Sequence, residues 1–229
     1  MSQVFVVDRS AFFDGVWPQG FLPMTAADGA ALLERAFARG RFVERAEAEQ
    51  NPAWKQWIPY CVLRSNSPAG GSSSSLDGVF CVRRTRGQSE SRLHGQWSIG
   101  LGGHVEPADQ LDRLPASAPG EAFFAAALDR ELREELLFAE GVGGTRRFLG
   151  LLNDDASAVG QVHAGLVYAW DLPGPWHLAA KAVEVGEISK MEGGFTSLVE
   201  FRKLWQDPLQ FETWSRFLVD LQAAVPGAT

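Results

Sequence analysis

The chain of 229 residues has only two cysteines. Two thiols make neither a disulfide framework nor a zinc site, so cross-links and cysteine-rich metal centres are excluded as organisers of the fold. Cys61 and Cys81 each lie in an apolar, strand-like run, which reads as burial. No apolar run approaches the length of a membrane span, and the start lacks a basic-then-apolar leader pattern, so the expected location is the cytoplasm and no membrane partner is expected. Basic residues are in deficit: 21 Lys and Arg against 28 Asp and Glu leave a formal net charge of −7. Broad nucleic-acid binding needs phosphate-neutralising basic patches and is not expected at that charge. The same deficit constrains any phosphate-handling site, which must recruit cations locally, from metal ions or clustered arginines.

What is present suits a folded globular chain. Its hydrophobic share of 45% and charged share of 21% are ordinary for one, and the length fits one large domain with an elaborated end. Residues 1–50 read as an N-terminal elaboration packed on a main domain spanning 51–229, and this segment could also supply a homodimer contact. It contains a strand at Val4–Val7 and a helix at Ala26–Arg39, whose Leu32, Leu33, Ala36 and Phe37 recur on one side. Pro52 breaks the chain before a strand at Trp57–Leu63. Pro68, Gly70, Gly71 and the four serines Ser72 to Ser75 mark a loop. Further strands are expected at Val79–Arg83, Trp97–Leu101, Arg146–Leu152, Val162–Trp170 and Lys181–Glu187, and closing helices at Leu198–Trp205 and Glu212–Ala224. Strands before, between and after helices, without regular alternation, predict an α/β sandwich rather than a doubly wound sheet.

The helix expected from Pro119-Gly120 carries the chemistry. Glu121 suits its positive start, the pattern runs on to about Phe138, and Gly141 is a plausible stop. At about 100° per residue, Phe124, Leu128, Leu132 and Leu136 form a core-facing stripe, and Glu131, Glu134 and Glu135 fall on an adjoining face. Like charges at such spacing destabilise a helix by roughly 0.2–0.5 kcal/mol per pair even when exposed. One resolution is a solvated face on which Arg130 and Arg133 pair with nearby acids. The other is a hard divalent cation such as Mg²⁺, which prefers carboxylate oxygens and often also binds substrate phosphates. The preceding Ser98-Ile-Gly-Leu-Gly-Gly-His-Val-Glu106 favours the second, because glycine lets the main chain approach ions and phosphates closely.

With these residues in place the sequence resembles the Nudix hydrolases, the superfamily that includes MutT, whose box reads G-x5-E-x7-R-E-U-x-E-E-x-G-U with U a bulky apolar residue. Gly103-His-Val-Glu-Pro107 resembles the opening, Gly120-Glu121 a displaced Gly-Glu pair, and Arg130, Glu131, Leu132, Glu134 and Glu135 match the core position by position. The run Lys55–Leu63 together with Arg92 to His104 is similar to a branch of predicted MutT-type phosphoesterases. A loop at about 108–119 is inserted, Glu121 stands one residue too far from Arg130, and Leu136-Leu-Phe138 replaces the closing glycine. The resemblance implies a Nudix-type α/β/α sandwich with a mixed sheet. It also implies Mg²⁺ or Mn²⁺ held by Glu131, Glu134 and Glu135 with the Gly103 carbonyl, Glu131 and Glu134 as catalytic carboxylates, and Arg130 orienting a neighbouring glutamate. The resemblance also implies a further acid from a later loop, with Glu187 ahead of Glu184, Glu192 and Asp154; the other reading of Glu187 is a surface charge.

Substrate contacts are sought nearby. Arg83, Arg84, Arg86 and Arg92 either offset substrate phosphate or form a solvated hairpin edge. His94 and His104 flank the glycine turn, either donating to a phosphate or making structural hydrogen bonds. Trp97 could stack on a base, whereas Trp54, Trp57, Trp170, Trp205 and Trp214 read as core. Phe123 either lines a pocket wall or is buried against the inserted loop. The leading expectation is a metal-dependent hydrolase of a phosphate anhydride, a nucleoside diphosphate linked to another moiety or a related pyrophosphate. The alternative is an inactive Nudix-fold nucleotide-binding or regulatory module. An isoprenoid-diphosphate isomerase would need a reactive cysteine that two strand-buried thiols do not supply.

Overall fold

The structure is a computed structural model that describes residues 2–66, 77–85, 95–110 and 115–220. The serine-rich loop, Arg86, Arg92, His94 and the end of the last expected helix lie outside these residues. Along the chain come β1 (Gln3–Asp8), β2 (Gly20–Pro23), α1 (Ala26–Arg39), β3 (Arg41–Glu44), α2 (Arg45–Ala48) and β4 (Trp54–Asn66). They are followed by β5 (Gly78–Arg84), β6 (Trp97–Ser98), β7 (Leu101–Gly102), α3 (Pro119–Glu135), β8 (Leu136–Phe138) and β9 (Thr145–Asn153). The last elements are β10 (His163–Pro173), α4 (Trp176–Ala182), β11 (Val183–Val185), β12 (Met191–Ser197), α5 (Leu198–Leu204) and α6 (Thr213–Asp220). No described helix is long and apolar enough to cross a membrane.

The chain divides into two compact units. The first draws on Met1–Tyr60, Gly102–Glu131 and Phe148–Tyr168. In it β1 pairs antiparallel with β3, Phe5 opposite Phe42, and with the start of β4, Val6 opposite Gln56. Strand alternation then divides its side chains between two faces. Val4 and Val6 pack with Ala48, Val43 and Trp54, while the Phe5 ring meets Phe42, Phe123 and Phe124. Phe123 is thus buried against Phe5 of β1, Phe42 of β3 and Phe37 of α1. The predicted stripe of α1 is right in Leu32, Leu33 and Ala36, and Thr25 caps the helix by accepting from the Asp28 N–H at 3.2 Å. Glu34 of α1 in turn caps α3, its Oε1 accepting from the N–H groups of Gly120 at 3.0 Å and Glu121 at 3.3 Å.

A wholly buried lysine ties this unit together. The Lys55 Nζ donates to Asp155 Oδ1 at 2.7 Å and to the carbonyls of Gly160 at 2.5 Å and His163 at 3.3 Å. Burial depresses its pKa to about 8, against the opposing pull of Asp155. Asp155 is shared with Arg9, and Gln19 reaches the same loop, donating to Asp154 Oδ1 at 2.8 Å and accepting from the Asp155 N–H at 2.9 Å. Residues 9–19 are thereby fastened to the loop that leads into β10.

The second unit draws on Cys61–Leu101, Leu132–Arg147 and Ala169–Thr229. Here β12 pairs antiparallel along all of β5, from Met191 opposite Arg84 to Ser197 opposite Gly78. The end of β4 pairs with β5 through Arg64 and Ser65, and Arg64 grips Asp171 with two hydrogen bonds of 2.7 and 2.6 Å. Phe201, Trp205 and Phe211 form an aromatic cluster. Ser98 donates to Glu212 at 2.5 Å and the Ile99 N–H to Ser215 at 3.0 Å, so the turn entering the glycine segment is pinned from the chain's last helical region.

Three expected elements differ. The strand at Trp97–Leu101 is two short ones, β6 and β7, parted where the Ser98 side chain bonds the Gly100 main chain. The expected helix to Phe138 stops at Glu135, because Leu136 to Phe138 pair with Val185 to Val183 as β8 and β11. The strand at Lys181–Glu187 shrinks to Val183–Val185, Lys181 and Ala182 forming the end of α4 instead. In the last two cases pairing with a distant segment overrides the local pattern.

Two stability tests follow. Replacing Lys55 with Met leaves the Gly160 and His163 carbonyls and Asp155 without their buried donor, and should lower the unfolding free energy by about 3 kcal/mol in a denaturant titration. Burial raises the Asp155 pKa, but hydrogen bonds from Arg9 and Lys55 outweigh it and hold the carboxyl at about 2. Its folded pKa lies below the unfolded one, so the stability it contributes is present above about pH 4 and is lost as pH falls toward 2. Asp155→Asn should flatten the acid limb of a stability–pH curve; an unchanged limb would contradict this.

Candidate functional site

Arg130, near the end of α3, organises the glycine turn in the first unit. Its Nε donates to Asp109 Oδ1 at 2.7 Å and its Nη2 to Asp109 Oδ2 at 3.0 Å, a two-pronged ion pair. The same guanidinium donates through Nη1 to Glu131 Oε1 at 2.8 Å and through Nη2 to the His104 carbonyl at 2.8 Å. The Asp109 hydrogen bond, helped by the nearby charge of Glu131, raises the arginine pKa further, so it stays cationic. Gly103 completes the arrangement. A β-carbon there would lie 2.2 Å from the Glu131 carboxyl carbon. That carboxylate is held by Arg130 and cannot yield without breaking the bond, so only glycine lets the main chain come this near.

Asp109 was not among the residues expected from the sequence, and it lies in the stretch read as an inserted loop. That stretch begins as a 3-10 turn at Pro107–Asp109, closed by the Asp109 carboxylate accepting from the Glu106 N–H at 2.7 Å. The available signal was a proline at the start of a turn with an acid two residues on, which folds back on the preceding main chain. Glu121, the displaced glutamate of the box, is exposed on the first turn of α3.

Most of the remaining expected residues fall in the second unit. Glu134 is exposed and Glu135 buried at the end of α3. The Glu135 carbonyl accepts from the N–H groups of Gly186 at 2.8 Å and Glu187 at 3.3 Å, so the segment carrying Glu187 is fastened to the helix end. The Glu187 carboxylate pairs with Lys190 at 2.8 Å. Arg83 and Trp97 stand opposite each other on β5 and β6, and Glu192 stands opposite Arg83 on β12. Arg83 donates to the Gly95 carbonyl at 3.0 Å, and Arg84 lies 3.6 Å from Glu212. Asp154 is buried in the first unit as the acceptor from Gln19. Cys61 and Cys81 are buried without a disulfide, and burial, then Glu212, pushes the Cys81 thiol up to about 12. Both thiols are enclosed in strands, which does not suit the accessible nucleophile that the isomerase reading requires.

A second cluster in the first unit was not expected. Glu49, His104 and His163 bring their side chains together: the two histidine Nε2 atoms are 3.1 Å apart, and Glu49 Oε1 lies 3.6 Å from the first and 3.8 Å from the second. His104 was read as a phosphate donor or a structural hydrogen-bonder, Glu49 fell in the N-terminal elaboration, and His163 sat unremarked at a strand end. Bonding to His104 lowers the Glu49 pKa to about 2. Burial lowers both imidazoles, His163 to about 4 with added repulsion from His104.

Removing the Asp109 carboxylate strands a half-buried guanidinium. Asp109→Ala should therefore lower the unfolding free energy by about 2–3 kcal/mol, while Glu140→Ala, at an exposed turn position, should be nearly neutral; equal effects in denaturant melts would reject a special role for the pair.

No protein-family model matches the chain. Protein YmaB of Bacillus subtilis (strain 168) is 35% identical over 220 residues, which span 93% of this chain and 90% of YmaB. The crystal structure of Tm1382, a candidate Nudix hydrolase, is similar with a TM-score of 0.67 and 26% identity, over 96% of this chain and 98% of that one. The second likeness bears out the expected α/β fold of Nudix type with its mixed sheet. The chain belongs to the Nudix hydrolase superfamily, in a family it shares with YmaB.

Proposed function

We propose that the chain is a divalent-metal-dependent hydrolase of a phosphate anhydride, acting on a nucleoside diphosphate linked to another moiety or on a related pyrophosphate. The observation that carries this reading is the Glu131 carboxylate held by Arg130 against the main chain of Gly103. A carboxylate so oriented beside a glycine turn suits a hard cation, since it offers oxygen donors and a close backbone approach. Glu131, Glu134 and Glu135 of α3, with the Gly103 carbonyl, would hold Mg²⁺ or Mn²⁺. When bound, such ions neutralise phosphate charge and make water acidic enough to attack near neutral pH.

The chain's own residues supply the rest. Arg130 is a positioning residue: its hold on Glu131 keeps that carboxylate from turning to solvent, and Asp109 keeps Arg130 in place. Glu134, exposed on the same helix, is proposed as the carboxylate that takes a proton from the attacking water. Glu187 is proposed as the acid from outside the helix, because its backbone is bonded to the carbonyl that ends α3. Arg83, Arg84 and Arg92 are proposed to meet substrate phosphates and Trp97 to stack on a base. This chemistry calls for a small-molecule substrate.

A panel of dinucleotides, nucleotide sugars and nucleoside triphosphates tests the proposal, with phosphate or pyrophosphate release measured in Mg²⁺ and Mn²⁺. Turnover of at least one class should depend on the metal and fall by about 10²–10⁴-fold in Glu134→Gln. Undiminished turnover in that variant would remove Glu134 from the mechanism. Thermal stabilisation by a nucleotide with no product over long incubation would favour the binding-module reading instead.

A further inference from the structure

We propose that Glu49, His104 and His163 form a transition-metal site of the two-histidine, one-carboxylate kind, distinct from the acidic helix and suited to Zn²⁺. Their facing atoms are separated by 3.1, 3.6 and 3.8 Å. Three ligands on a tetrahedral zinc, with bonds of about 2.0–2.2 Å, stand roughly 3.3–3.5 Å from one another. The observed triangle is close to the one a bound ion requires.

Protonation is consistent with that use. The His163 Nδ1 lies 2.8 Å from the Val159 carbonyl, which can only accept, so Nδ1 carries the proton. In the neutral ring Nε2 is then the lone-pair nitrogen, and it faces His104 and Glu49. A hydrogen bond from the far nitrogen to a carbonyl is the usual way a metal-binding imidazole is fixed in tautomer and orientation. His104 can donate one proton into the trio from its Nε2, and a cation would replace that proton while attracting all three donors at once.

The supports behind the donors are rigid. The His104 carbonyl accepts from Arg130 at 2.8 Å, and the His163 carbonyl from Lys55 at 3.3 Å. Glu49 follows α2, with Arg45 3.7 Å from its carboxylate one turn earlier. The charged groups beside the trio include Arg45 and, near His104, Glu106. Donor chemistry selects the ion: imidazole nitrogens suit zinc, copper, iron and nickel, whereas Mg²⁺ prefers oxygen and keeps its waters. Three protein donors leave a fourth position open to water or a ligand. Among the described residues no other group of three His, Cys, Asp or Glu side chains converges within 4.8 Å.

The test uses the full chain, stripped with a chelator and titrated with Co²⁺ in excess Mg²⁺, which occupies the acidic helix. Co²⁺ should bind as a single ion per chain with the intense visible absorption of a tetrahedral site, and Zn²⁺ should displace it. Glu134→Gln should leave the spectrum intact. His163→Gln should abolish it, and Glu49→Gln, at a more exposed position that the fold tolerates better, should weaken binding at least about tenfold with an unchanged circular dichroism spectrum. A spectrum no different from Co²⁺ in water, or one that both variants leave unaltered, would overturn the site and reduce the trio to a hydrogen-bonded cluster.

Discussion

One guanidinium group, that of Arg130, sets the geometry on which the candidate site rests. It gives two donors to Asp109, one to Glu131 and one to the His104 carbonyl, so a single planar fork fixes a loop, a helix carboxylate and a glycine turn relative to each other. Lysine could not do this, since its point charge cannot satisfy three partners in fixed directions. Burial sharpens the requirement. Asp109 is almost wholly enclosed, and an enclosed carboxylate is tolerable only with donors on its oxygens. Arg130 supplies two of them and the Glu106 N–H a third. The arginine that the resemblance reads as an orienting residue is therefore also the partner that allows the preceding loop to close.

Lys55 repeats this logic beside the start of β10. Its buried ammonium is satisfied by one carboxylate and two carbonyls, and one of those carbonyls belongs to His163. Two cations, one buried and one half-buried, thus hold the backbones from which the two clustered imidazoles project. Rigid backbone behind each donor is what makes a cluster of three side chains ready to receive an ion, because little conformational entropy is left to lose on binding.

Much of this was legible in the amino-acid order. The stripe of Phe124, Leu128 and Leu132 is buried as its spacing requires, and α1 runs from Ala26 to Arg39 as its periodicity and its Thr25 cap dictate. Such features depend on neighbours three or four residues away, which a sequence displays directly. The end of α3 was not legible, because Leu136 to Phe138 have a helical pattern and become a strand only when Val183 to Val185 arrive to pair with them. Asp109 was obscured for a similar reason: its role depends on an arginine 21 residues later.

The sequence by itself determined the superfamily-like acid helix, its glycine approach and the core stripe. These follow from composition and short-range spacing, which folding does not alter. Only the tertiary structure decided which carboxylate Arg130 grips, which thiols are sealed off, and that Glu49, His104 and His163 meet although the last two stand 59 residues apart. Convergence of that kind is set by strand pairing and buried charge satisfaction, and no local pattern records it. The Glu131 carboxylate could be read as a charge on a helix; its place against Gly103 belongs to the folded chain.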